Sequence, residues 1–198
     1  MRKKILLILM LFLVGCSNQI TTVNKANGDS KTYLFFKDFD VKKYYVCFFD
    51  RNNAKNDNTK IIMARDNDKY YYEINGSNNR IIIQKNGIRY EIDPKMMNYF
   101  QSNKVVTDFS DGFLPKDILA LKTAGYKYGT EKVFNSTYYF ERYTVDKNTT
   151  TYYYSGNELI YVRYKTVSKD ALLKFNYMSK KVNSSLFEID KDYQEITY

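Results

Sequence analysis

Histidine and tryptophan are absent from the 198 residues, and cysteine and proline occur only twice each. Without histidine there is no Ser-His-Asp triad, no Cys-His pair and no imidazole metal ligand. No apolar run approaches the ~20 residues that a membrane-spanning helix needs. With two prolines and eight glycines, no Pro- or Gly-rich linker divides the chain. What is abundant is aromatic: 21 Tyr and 13 Phe. Disordered chains are poor in aromatics, so this load points to a folded domain. The length is that of one such domain. No residue draws a catalytic role, and neither a cofactor nor a metal is expected; the chain does not read as an enzyme.

Residues 1–15 read as an address. Arg2, Lys3 and Lys4 form a positive start, and residues 5–14 are an unbroken apolar run. That is the length of a secretory core segment. Leu13-Val14-Gly15-Cys16 then resembles a bacterial lipobox. The resemblance implies thioether lipidation of Cys16 and cleavage before it. The protein would then sit on the extracytoplasmic face of the cell membrane, held by its N-terminal lipid. Removing Arg2, Lys3 and Lys4 leaves 28 basic against 22 acidic residues, a net charge of +6. A basic exported domain beside anionic lipid or wall polymer needs no nucleic acid to explain its charge. Cys47 is then the one remaining cysteine. It lies in an apolar strand pattern and reads as a buried small side chain.

Residues 16–30 are polar and read as a tether, with residues 31–198 as a single domain. Ser30 can cap a short helix over about 31–38, with a strand as the alternative there. Strand patterns follow at 44–49, 60–64, 69–75, 80–84 and 88–93. Asn86-Gly87 is a hairpin signal. Tyr70, Tyr72 and Ile74 share one face of their strand, as do Ile88, Tyr90 and Ile92, which predicts one covered face and one wet face. Asp93 and Pro94 then suggest a short helix running through Met96, Met97 and Phe100. A second helix is expected from Pro115 to about Lys122. Strands resume near Lys127 and continue at 137–145, 149–154, 159–166 and 171–178. Two meanders flanking a helical middle make an α+β domain. The loop at 50–57 lacks the Gly and Glu of a calcium loop. Asp66, Asp68, Asp108 and Asp111 are explained by turn chemistry.

Several short phrases carry a family resemblance: the hairpin-strand-Asp-Pro step at 86–100, Tyr154-Ser155-Gly156-Asn157-Glu158-Leu159, and Val182-Asn183-Ser184-Ser185-Leu186-Phe187-Glu188-Ile189-Asp190. Together they resemble the outer-membrane lipoprotein carrier (LolA-like) superfamily over roughly residues 40–190. That family usually has Pro where Asp190 stands. The resemblance implies a curved antiparallel half-barrel with short helices covering its concave face and an apolar cavity between them. Members bind acyl chains or other hydrophobic ligands there, and share no catalytic residue. The expected lining is Tyr70, Tyr72, Ile74, Ile88, Tyr90, Ile92, Met96 and Met97. The alternative is an interaction lipoprotein whose sheet surface binds another envelope protein or an anionic wall polymer. Lipidation has a direct readout: palmitate labelling of the protein is expected in cells and should disappear in Cys16→Ala.

Overall fold

Runs of Tyr, Phe, Ile, Val and Thr suit a pleated, half-buried surface, and the strands of this chain are rich in them. The computed structural model describes residues 20–52, 59–76, 79–104 and 112–197. The first meander is β2 (Lys43–Asp50), β3 (Lys60–Asp66), β4 (Lys69–Asn75), β5 (Arg80–Lys85), β6 (Ile88–Asp93) and β7 (Asn98–Ser102). The second is β8 (Tyr126–Val133), β9 (Ser136–Val145), β10 (Asn148–Ser155), β11 (Glu158–Lys165) and β12 (Asp170–Ser179). β12 pairs antiparallel with β2, which fuses the two meanders into one sheet. β1 (Thr21–Val23) adds to β8, and β13 (Gln194–Glu195) adds to β7 as the one parallel pair among the described residues. The order is β1-β8-β9-β10-β11-β12-β2-β3-β4-β5-β6-β7-β13, and the sheet is open.

This overturns the α+β expectation, including helices as the cover of a concave face. The fold is β-rich, with only two α-helices among the described residues, α1 (Lys31–Phe36) and α2 (Ile118–Thr123), of six residues each. Their buried apolar side chains are Phe36 and Leu121. Much of the rest of the cover on that face, the inner face, is irregular chain carrying Ala26, Phe39, Phe113 and Leu114. Helices this short are held by packing and caps, because isolated helix formation pays a large nucleation cost. Ser30 caps α1 by accepting from the Tyr33 N–H, and Asp117 caps α2 by accepting from Leu119 and Ala120.

The helix expected after Asp93 is also absent. Asp93 Oδ1 does accept from the N–H groups of Lys95 and Met96, at 2.9 and 3.1 Å. The same capping chemistry here closes a turn, Met97 takes φ 52°, and the chain returns as β7. The Met97 and Tyr99 carbonyls then accept from the Gln194 and Ile196 N–H groups, so ladder pairing replaces helical bonds. The expected tether also behaves as structure from residue 20 onward. Thr21–Val23 is a strand, and Ala26 is buried in the inner core. Residues 1–19, and Cys16 with them, lie outside the described residues.

The outer face is covered too. The C-terminal segment, with a 3-10 turn at Ser184–Phe187, lays Val182, Leu186, Phe187, Ile189 and Tyr193 over Cys47, Ile62, Ala64, Tyr71, Ile83 and Ile92. The expected wet face of the first meander is therefore not simply wet. Cys47 is a free thiol buried in this layer.

One carboxylate ties the inner cover to the sheet. Glu141 on β9 is 1% exposed. It accepts from the Lys31 N–H and Thr32 N–H at 2.8 Å each, and from the Thr32 hydroxyl at 2.7 Å. The Tyr139 and Tyr143 hydroxyls add bonds at 3.1 and 3.3 Å. Charge-assisted bonds to a helix N-terminus are strong, and leaving the donors unpaired is costly. Glu141→Ala is expected to lose about 2–4 kcal/mol of stability, read from urea unfolding midpoints. An unchanged midpoint would count against the clamp.

Candidate ligand cleft

The inner face is not filled uniformly. Between α2 and strands β9–β11 lies an open cleft of about 600 Å³. Leu114, Pro115, Ala120, Leu121 and Ala124 form one wall, and Tyr143, Val145, Thr150, Tyr152 and Tyr164 form the other. The size falls within the range of small-molecule sites, ~300–1,000 Å³. The cleft exists because small residues face large ones. Ala120 and Ala124 stop short of the rings opposite them.

Several contacts hold the two walls apart and in place. The Gly28 N–H donates to the Lys122 carbonyl at 2.9 Å, pinning the end of α2 to the N-terminal segment. The Thr150 hydroxyl donates to the Gly112 carbonyl at 3.0 Å. Gly112 has φ 81°, and a Cβ there would lie 2.3 Å from the Tyr164 ring. Only glycine meets both demands. Tyr126 stacks on Tyr143 at 5.5 Å, and Tyr143 meets Tyr152 edge-on at 6.0 Å. These ring pairs give the sheet wall a defined shape.

Two hydroxyls of the sheet wall stay protonated. Burial is the main cause that pushes the Tyr143 and Tyr152 hydroxyls well above the ordinary phenol range. The Tyr143 hydroxyl also lies within hydrogen-bond distance of Ser30 Oγ, at 3.1 Å. Lys116 and Asp117 are the ionic residues of the lining, both exposed. The arrangement offers apolar contact with a polar edge.

The eight residues expected to line a cavity are not brought together. Tyr70, Tyr72 and Ile74 lie on the inner face, opposite Arg65, Met63 and Ile61. Ile88, Tyr90 and Ile92 lie on the outer face; Tyr90 and Ile92 pack beneath the C-terminal segment. Met96 and Met97 are exposed on the turn before β7. Ile74, Ile92 and Met96 do border a second cleft of about 640 Å³ at the far end of the first meander. It also contains Arg80, Glu91, Asp93 and Asn98, with Arg80 and Glu91 ion-paired. Those charges make it a poor place for an alkyl chain. The residues of the α2 cleft were missed because half of them are ordinary core-type tyrosines. The available signal was the spacing of two small residues, Ala120 in α2 and Ala124 at its C-cap, opposite aromatic strands.

Among the described residues, no group of three or more Cys, Asp or Glu is placed to hold a metal ion. Asp66 and Asp68 sit at the β3–β4 turn, while Asp108, Asp111 and most of the loop at 50–57 lie outside the described residues. No described helix is long and apolar enough to cross a membrane. Comparison with protein-family models and with curated proteins finds no match.

The buried hydroxyls make a pH prediction. Burial, helped by Glu141 and Asp29, raises Tyr126 from 10.0 to about 12. A raised phenol favours the folded state while it stays protonated. Its contribution is complete below pH ~10 and is lost as the pH climbs through about 12. Tyrosinate absorbance should therefore rise late, together with loss of near-UV circular dichroism. A full phenol titration near pH 10 with the fold intact would contradict the burial.

Proposed function

We propose that this protein is an exported, lipid-anchored envelope protein that binds a hydrophobic ligand in the cleft between α2 and β9–β11. The observation that carries the reading is the cleft itself: about 600 Å³, opening to solvent, walled by alanine and leucine on one side and tyrosines on the other. An alkyl chain there would lose water on both sides, at ~0.8 kcal/mol per buried CH₂. The polar edge at Asn148 and Thr150 suits a carboxyl or ester head. The lipobox pattern ending at Cys16 supports placement beside a membrane, where such ligands are found. The likeness to lipoprotein carriers points the same way in ligand class, although the helical cover that it implies is not the cover observed.

Two substitutions test the cleft without touching the Glu141 clamp. Ala120→Trp and Ala124→Trp project a ring into the space from α2 and its C-cap. Protein purified from membranes is expected to carry a co-purifying apolar molecule in native mass spectrometry. It should also take up cis-parinaric acid with a rise in fluorescence. Either variant should weaken that uptake by roughly tenfold or more, the equivalent of ~1.4 kcal/mol. Wild-type protein that is ligand-free and does not take up the probe would overturn the reading.

A further inference from the structure

The path of the chain into the sheet says which way the domain faces its anchor. In β1, Thr21 lies opposite Tyr128 and Val23 opposite Tyr126. Because the pair is antiparallel, the N-terminal end of β1, at Thr21, is the end nearer the β8–β9 turn at Phe134. Cys16 lies five residues before Thr21. At ~3.3–3.6 Å per residue, the acyl-bearing residue stands no more than ~18 Å from the sheet edge. That reach is about the length of strand between Tyr128 and Val133, five residues at ~3.3 Å each.

The turn at that end is unusual. Phe134 is 52% exposed and takes φ 54°, a conformation that hairpin turns normally give to Asn, Asp or Gly. A bulky ring at a left-handed position is a genuine outlier. Asn67, Asn86-Gly87, Asp146 and Gly156 take positive φ in other hairpins, and Met97 before β7, at φ 52°, is the other bulky residue that does so among the described residues. Phe134 stands 6.0 Å from the Tyr161 ring, and Tyr161 stands 5.5 Å from Tyr138. The hairpin carries an exposed lysine, Lys132, and its nearest carboxylate, Glu131 opposite Tyr138, is paired with Arg142. Ile20, the first described residue beyond the anchor, is also exposed, at 54%. Rings backed by tyrosine hydroxyls and flanked by lysine are the composition that settles at a headgroup boundary.

We infer that the β8–β9 hairpin tip, with Phe134 leading and Tyr138 and Tyr161 behind it, docks into the headgroup layer of the bilayer that holds the Cys16 acyl chains. The inference rests on the lipid-anchor part of the proposed function. The occupant of the aromatic tip is a phospholipid surface, and the short reach from Cys16 is what selects it. The anchor then sets the orientation of the domain as well as its location.

The chain has no tryptophan, so a single introduced indole reports on its own surroundings. Full-length lipidated Phe134→Trp is placed on vesicles of equal parts phosphatidylglycerol and phosphatidylcholine, some containing doxyl-labelled lipid. Val167→Trp serves as the comparison, because Val167 is 85% exposed in the turn at the opposite end of β11. The expected result is a blue shift and doxyl quenching for Phe134→Trp and neither for Val167→Trp. In the unsubstituted protein, hydrogen exchange at residues 133–136 should slow on vesicles relative to detergent. Protein that floats with vesicles but shows no quenching, or equal quenching at both sites, overturns the docking and leaves the anchor standing. Protein that carries no acyl group by mass and does not float overturns both.

Discussion

The buried carboxylate of Glu141 is the point on which the inner face depends. It sits in the second meander, yet its bonds reach Lys31 and Thr32, more than a hundred residues away in sequence. Five donors converge on it, two from the start of α1, one from Thr32 and two from tyrosines. An unpaired carboxylate in that position would be ruinous, and an unpaired helix start nearly so. Paired, each satisfies the other. The Tyr154 hydroxyl continues the network by donating to the Thr32 hydroxyl at 3.0 Å. Fixing α1 in this way places Phe36 against Tyr152 and Phe39, which begins the apolar cover of the sheet.

From that clamp the cover proceeds as a chain of short dependencies rather than as a helical layer. The N-terminal segment runs beside β8, buries Ala26 and bonds through Gly28 to the end of α2. α2 is thereby suspended over β9–β11 from both ends, capped by Asp117 at one and by the Gly28 bond at the other. Suspension leaves room beneath it. Ala120 and Ala124 on one side and the tyrosines across from them line that room. The proposed ligand site is therefore a consequence of how a short helix is hung, not of a dedicated motif.

Strand positions were legible because period-two alternation and Asn-Gly or Asp-Asn turns are local signals. The spans of β4 and β6 agree with the pattern to the residue, and the cap at Ser30 is where the hydroxyl suggested it. The helix after Asp93 was misread because an aspartate that accepts two following N–H groups looks the same at a helix start and at a closed turn. β7 was missed with that turn, and β1 and β13 were missed because their pairing partners, β8 and β7, are far away in the chain. The lining set was split for a different reason. Between β4 and β5, Ile74 pairs with Arg80, an even offset that keeps even-numbered residues on one face. Between β5 and β6, Lys85 pairs with Ile88, an odd offset that exchanges the faces. Tyr70–Tyr72–Ile74 and Ile88–Tyr90–Ile92 show the same alternation and still look in opposite directions.

The amino-acid order alone determined the β-rich material, most of the turns, the short length of any helix and the expectation of an address ending at Cys16. These follow from side-chain type and local spacing. Tertiary structure decided the rest: that two meanders join through β12 and β2, which face each alternating set occupies, that the C-terminal segment covers the outer face, and where space remains. Each of those depends on register and on contacts between residues far apart in the chain. Alternation reports that two faces differ, and only pairing across the sheet says which one is inside.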